Sequence, residues 1–206
     1  MSVLDFLSPS LAADADGFHP VARSSMERRF REAGATFEER DGWLVPVSVP
    51  GEAEHLAAAG VADLSHLTKL EVRPAPAAAG AGIVTYAISP RRGLLLFTSG
   101  LANVVSEHVA GAPFVLDVTA QHGILAIVGP EAPTVLRRLT HLHRFPSGGE
   151  VAHISAYVLE LAPEGDGGYW IVFGQEYGHY LYEVAVDRAA ALGGGPVGID
   201  VLGAAS

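Results

Sequence analysis

The sequence predicts an α+β fold, a single compact domain of mixed sheets and helices with two pseudo-symmetric halves. Three observations carry that prediction. Residues 124–128 form an unbroken apolar run that ends at Gly129 and Pro130 and leads into Val135, Leu136 and Leu139 at helical spacing. That layout is a buried strand, a tight turn with proline in the first helical turn, and a helix. The opening of this unit, Asp117-Val118-Thr119, repeats an earlier one, Asp63-Leu64-Ser65, and each acid–aliphatic–hydroxyl triplet precedes an apolar strand. Two copies suit a pseudo-symmetric fold and are too few for a solenoid. Finally, strand-like and helix-like runs are interspersed along the chain with no clean linker between them.

Taken in order, residues 1–19 are polar, small and turn-rich and read as an extended arm, which leaves 20–206 as the domain. Residues 20–33 read as a helix with Met26, Phe30 and Ala33 on one face, arginines on the other, and Gly34 closing it. Residues 43–49 are a strand, placed at an edge or an irregular position by Pro46, which has no N–H for a ladder. Residues 52–59 form a short helix ended by Gly60, and 74–82 a loop of small residues. Residues 83–88 and 94–98 read as a hairpin joined by 89–93, and 101–110 as a helix. Residues 151–161 and 169–173 pair as strands around a turn at 163–168. Residues 178–192 lean helical, although 182–186 would also suit a strand. The glycine-rich stretch 193–198 lacks the lysine and helix start of a phosphate loop and reads as a flexible connection.

Composition excludes several classes of function. A chain of 206 residues can bury a sizeable core. Its net charge of −10 argues against nucleic acid, which needs clustered cations, and its arginine groups are short. Without cysteine there is no disulfide, thiolate metal site or thiol nucleophile. No apolar run reaches a membrane span, and the first residues lack the basic region of a signal peptide, so the expectation is a soluble cytoplasmic protein. Charged residues make up 17%, low enough to point to a covering partner.

The two units resemble the early Asp-X-Ser-His motif and the conserved strand–turn–helix of the glycine-cleavage T-protein (aminomethyltransferase) family, which folds around tetrahydrofolate; here the early motif is Asp63-Leu64-Ser65-His66. Later, Arg144 to His153 resembles the Phe-Pro-X-Gly stretch of the gamma subunit of heterotetrameric sarcosine oxidase, and Phe173 to Tyr182 that subunit's late helix start. The resemblance covers residues 55–190 and is strongest over 115–185. It implies a T-protein-like folate-binding fold. It also implies folate-site candidates at Asp63, His66, Tyr86, His179 and Tyr180. The family's Asn-X-X-Gly-Gly connection with paired acids corresponds to residues 89–93, Ser-Pro-Arg-Arg-Gly, which hold no asparagine and no acid. Its Thr-Gly-Glu segment falls near Tyr177, Gly178 and His179, where a neutral imidazole would replace a carboxylate that accepts two hydrogen bonds. No catalytic residue is therefore assigned.

Other candidates have plainer readings. His141 and His143 lack a third converging metal ligand and read as solvated loop histidines. Ser65-His66 lacks a nucleophile elbow. Tyr169, Trp170, Tyr177, Tyr180 and Tyr182 could form a stacking wall, or be ordinary core and edge aromatics. The leading expectation is a non-catalytic subunit of a sarcosine oxidase-like demethylating oxidoreductase, partnered by a flavoprotein large subunit or by its own copies, with tetrahydrofolate bound weakly if at all. The alternatives are a shortened tetrahydrofolate-dependent aminomethyltransferase and a stand-alone folate-binding or regulatory module.

Overall fold

Alternation of apolar side chains along the strands sets up the layers. The computed structural model describes residues 20–161 and 168–202; the expected arm at 1–19 and most of the expected turn at 163–168 lie outside them. The elements are β1 (Ala22–Arg23), α1 (Glu27–Glu32), β2 (Thr36–Arg40), β3 (Trp43–Ser48), α2 (Glu52–Leu56), β4 (Gly60–Asp63), β5 (Thr68–Arg73), β6 (Val84–Ser89) and β7 (Arg92–Phe97). There follow α3 (Ala102–Val109), β8 (Phe114–Asp117), β9 (His122–Val128), α4 (Ala132–Arg137), β10 (Ser147–Val151), β11 (Ile154–Leu161), β12 (Gly168–Gly174), α5 (Gly178–Ala190) and β13 (Gly195–Pro196). Strand order is β1-β3-β2 in one sheet, β10-β11-β12-β9-β4-β13 in a second and β6-β7-β5-β8 in a third.

Each large sheet is apolar on both faces, and that stacks the layers. On β5, Leu70 and Val72 face Val105 and Val109 of α3, together with Leu95 and Phe97 of β7. The other face of the same sheet sends Tyr86, Leu94 and Leu96 against Ile124, Ala126, Leu159 and Trp170 of the six-stranded sheet. Beyond that sheet, Leu125, Ile127 and Ile171 pack on Phe30, Val135, Leu136 and Leu181 of the helices. Strand β9 is thus buried on both sides, which is why residues 124–128 read as a continuous apolar run.

The repeated triplets form a reciprocal crossing between the large sheets. In each triplet the aspartate Oδ1 accepts the amide of the residue two positions on, from Ser65 at 2.9 Å and from Thr119 at 2.8 Å. Each hydroxyl then accepts an amide from the other unit's strand: Ser65 Oγ from Ile124 at 3.2 Å, and Thr119 Oγ1 from Lys69 at 2.9 Å. The central aliphatic residues complete the exchange, with the Leu64 amide donating to Ile124 O and the Val118 amide to Lys69 O, both at 2.9 Å. Lys69 and Ile124 therefore hold equivalent places in the two units.

Several expected boundaries are corrected. The helix expected over 20–33 begins only after Ser24, whose Oγ and carbonyl accept the Met26 and Glu27 amides; residues 22–23 instead pair with β3. Pro46 lies in the middle strand of its sheet. The ladder tolerates it because β1 pairs only with Trp43 and Leu44, and the β2 register shifts opposite it. Strand β2 was not expected, although Asp41 and Gly42 both adopt positive φ in the hairpin turn that follows it. The helix expected over 52–59 stops at Leu56, and the one after Pro130 starts at Ala132, with Pro133 in its first turn. The strand expected over 151–161 is cut by a turn at Ala152 and His153, both at positive φ, which folds β10 back on β11. The stretch 178–190 is one helix, residues 182–186 included. Residues 193–198 are closely packed: a Cβ on Gly194 or Gly198 would meet the Ala59 or Val47 carbonyl oxygen at 2.2 or 2.1 Å.

Candidate functional site

Lys69 stands on the inner face of β5, fully buried, and is the chain's only lysine. Its Nζ donates to the carbonyls of Ser65 at 2.8 Å and Leu67 at 2.6 Å and lies 6.0 Å from the centre of the Trp43 ring. Burial brings its pKa down to about 7, against the opposing pull of Asp63 and Asp117. Asp63 is buried as well, and desolvation raises its pKa, opposed by Ser24, Ser65 and the Lys69 charge. Its Oδ2 has no hydrogen-bond partner. His66, on the same loop, is pushed down to about 4 by burial and then by Lys69, and its buried Nδ1 is unpartnered.

Two residues further along β5, Glu71 is bound by two arginines. Arg73 approaches Oε1 at 2.6 Å and Arg92 approaches Oε2 at 2.7 Å. Burial alone would raise its pKa, but the two guanidiniums outweigh that and hold it below the usual carboxylate range. Arg92 belongs to the β6–β7 hairpin, the connection in which the sequence shows no acid.

A cleft of about 250 Å³ opens over one end of the six-stranded sheet, lined by His122, Gly148, Ser155, Tyr157, Val172 and Gly174 among others. Tyr86 approaches it from the other sheet, its ring 5.2 Å from that of Tyr157. Burial, together with Lys69 and Arg92, lowers the pKa of His122 against a backbone hydrogen bond to Phe173 and the charge of Glu176. The buried Nδ1 of His122 and Oε1 of Gln175 have no partner. Glu176 reaches back over Gly174, where an added Cβ would stand 2.8 Å from both its oxygens. The lining thus offers one unpartnered ring nitrogen, that of His122, beside an aromatic wall.

No protein-family model matches the chain. An aminomethyltransferase of Mycobacterium tuberculosis is 28% identical over 216 residues, covering 84% of this chain and 59% of its own length. Among solved structures, the glycine-cleavage aminomethyltransferase T of Bartonella henselae superposes with a TM-score of 0.66 at 20% identity, over 87% of this chain and 60% of that one. A chain of heterotetrameric sarcosine oxidase from Corynebacterium sp. U-96 superposes with a TM-score of 0.58 at 16% identity, over 85% of this chain and 98% of that one. The chain has the T-protein fold. It spans about three fifths of the length of the curated relatives it matches.

Within that T-protein-like fold the expected site residues fall in three places. Asp63 and His66 belong to the buried Lys69 cluster. Tyr86 stands beside the cleft with Tyr157. His179 lies 3.8 Å from Glu183 on α5, and Tyr180 is exposed on the same helix. Among the described residues no hydrogen bond, ion pair or ring contact joins this last pair to the other three. The aromatic stretch is also divided: Tyr169, Trp170 and Tyr182 enter the cores, while Tyr177 and Tyr180 remain exposed. His141 and His143 are exposed, and among the described residues no group of three or more His, Cys, Asp or Glu could hold a metal. Lys69, Tyr157 and Glu176 were not singled out from the sequence. For Lys69 and Glu71 a signal existed, since residues 68–73 alternate and both lie on the same face of that strand.

The cleft is too small to enclose a ligand of the size of tetrahydrofolate, so such a ligand would extend beyond it. The cleft's volume is below the roughly 300–1,000 Å³ of ligand pockets.

Proposed function

We propose that this chain is a non-catalytic structural subunit of a demethylating amine oxidoreductase of the sarcosine oxidase type, acting in the cytoplasm beside a flavoprotein large subunit. The observation that carries the reading is the β6–β7 hairpin. Proton removal from a reacting amine needs a carboxylate or other base within hydrogen-bond reach. The hairpin offers Arg91 and Arg92, which stay charged at all working pH values. The nearest described carboxylate, Glu71, is occupied by Arg73 and Arg92. The test is a one-carbon transfer assay on the purified chain with tetrahydrofolate and a methylated amine. No turnover is expected, together with co-purification of a flavin-bearing chain from the native organism.

One observation favours a second reading. The relative matched over 84% of this chain is named an aminomethyltransferase, which supports a shortened enzyme that moves a one-carbon unit to tetrahydrofolate. Folate-dependent turnover by the chain alone, lost in Asp63→Asn or Asp117→Asn, would decide for that reading.

A further inference from the structure

The reciprocal crossing is two-fold in its backbone but not in its side chains. Where one unit has the apolar Ile124, the other has Lys69, with an ammonium group in the same buried joint. Each polar group of the crossing except Asp63 Oδ2 has a counterpart or a partner. The Lys69 amine, which has no counterpart at Ile124, adds two bonds across its own loop, to Ser65 O and Leu67 O. Ser65 in turn holds the Ile124 amide, and Leu64 holds the Ile124 carbonyl. Two residues before Ile124 is His122, which lines the cleft. A continuous set of contacts therefore runs from the amine to the cleft wall.

We propose that Lys69 is a proton switch at this crossing: uncharged, it keeps the 64–67 loop locked onto β9, and charged, it loosens the strand start that carries His122. The charged and titratable groups around it come from every element packed there. Asp63 at the end of β4 and Asp117 at the end of β8 stabilise the ammonium. His66 on the loop and His122 on β9 are both disfavoured as cations by it, and Trp43 of β3 faces it with its ring. Arg40 and Asp41 act beyond His66, and Arg92 and Glu176 beyond His122. The neutral amine keeps both hydrogen bonds, whereas a proton added to it puts a charge into a joint whose burial disfavours that charge more than the two aspartates favour it, so protonation works against the closed crossing. A pKa near neutrality places that change within the ordinary working range.

A single lysine makes the test unambiguous. The full chain grown on lysine labelled with carbon-13 at Cε gives one lysine signal, followed by NMR from pH 5 to 10. The expected midpoint lies near 7, more than two units below the roughly 10.4 of free lysine. Side-chain signals of His122 and Tyr157 should move with that same midpoint, while those of the exposed, non-titrating Val104 do not. Asp63→Asn, which removes one supporting carboxylate, should shift the lysine and cleft midpoints downward together. Lys69→Met should abolish the shared transition. A lysine that titrates only above pH 9 overturns the proposal. So does a cleft that ignores the lysine transition, or one that keeps its transition in Lys69→Met. If Lys69→Met does not fold, the Asp63→Asn protein decides: cleft signals that fail to follow the displaced lysine midpoint overturn it equally.

Discussion

Glu71 is buried beneath two half-exposed guanidiniums, and the balance between its burial and those charges is open to measurement. Its folded pKa is depressed, so the stabilisation is present above the unfolded value near 4.3 and is lost as pH falls through the folded one. Glu71→Gln should cost about 1–2 kcal/mol at pH 7, with the solvent exposure of both arginines keeping the value low. Urea denaturation should show this difference shrinking towards zero in acid. His66 shows the other direction for a base. Its folded pKa of about 4 lies below the free value near 6.5, so between those limits the unfolded chain binds more protons. Stability should fall by about 3 kcal/mol as pH drops across that window. The raised Asp63 opposes this in part. Thermal unfolding of His66→Gln across pH 4–7 should lack that acid limb; a limb of unchanged size would show that His66 does not cause it.

At the scale of elements, the crossing of the two triplets predicts coupled energetics. Ser65→Ala and Thr119→Ala each leave a buried amide without its acceptor, at about 1–3 kcal/mol apiece. Because both hydroxyls serve one joint, the double variant should cost measurably less than the sum of the singles in chemical denaturation. Simple additivity would mean two independent caps. The triplets could be read from the sequence because acid, aliphatic and hydroxyl residues recur in the same order. The exchange of partners could not, since it depends on which strand lies opposite each hydroxyl. Other elements were legible for equally particular reasons. The 124–128 run could only be a strand buried on both faces, and the 83–98 hairpin declared itself by two apolar runs around a proline. Strand β2 escaped because Thr36–Arg40 is mostly charged and lies on the surface, leaving Asp41-Gly42 as its sole signal. The 193–198 stretch escaped because its glycines reflect close backbone approach, a tertiary fact. Gly198→Ala should accordingly abolish soluble expression or cost more than about 3 kcal/mol, since the new methyl would overlap the Val47 backbone.

For the molecule as a whole, the small cleft and the arginine-bearing hairpin predict weak folate binding. Calorimetry should place the tetrahydrofolate dissociation constant above about micromolar. Tight binding abolished by His179→Ala would instead mean that helix α5 supplies the missing partner. The exposed Phe114, Leu116, Tyr177 and Tyr180 on a chain so poor in charge point to a covered surface in the assembled state. Light scattering at micromolar concentration should find an oligomer, or a complex once a flavoprotein partner is present. A clean monomer that recovers no flavoprotein, with Tyr180→Ala behaving identically, would remove the support for that expectation. The layered sheets would give such a partner a firm platform, since nearly every strand among the described residues is buried on at least one face.

The enclosure of Lys69 has a practical consequence for chemical labelling. Reagents that acylate amines meet no reactive side chain on the folded protein, so they modify only the chain's terminal amino group. A second modification per chain requires the joint around Lys69 to open. The appearance of doubly acylated protein in a mass spectrum therefore times the opening of that joint, without any engineered reporter.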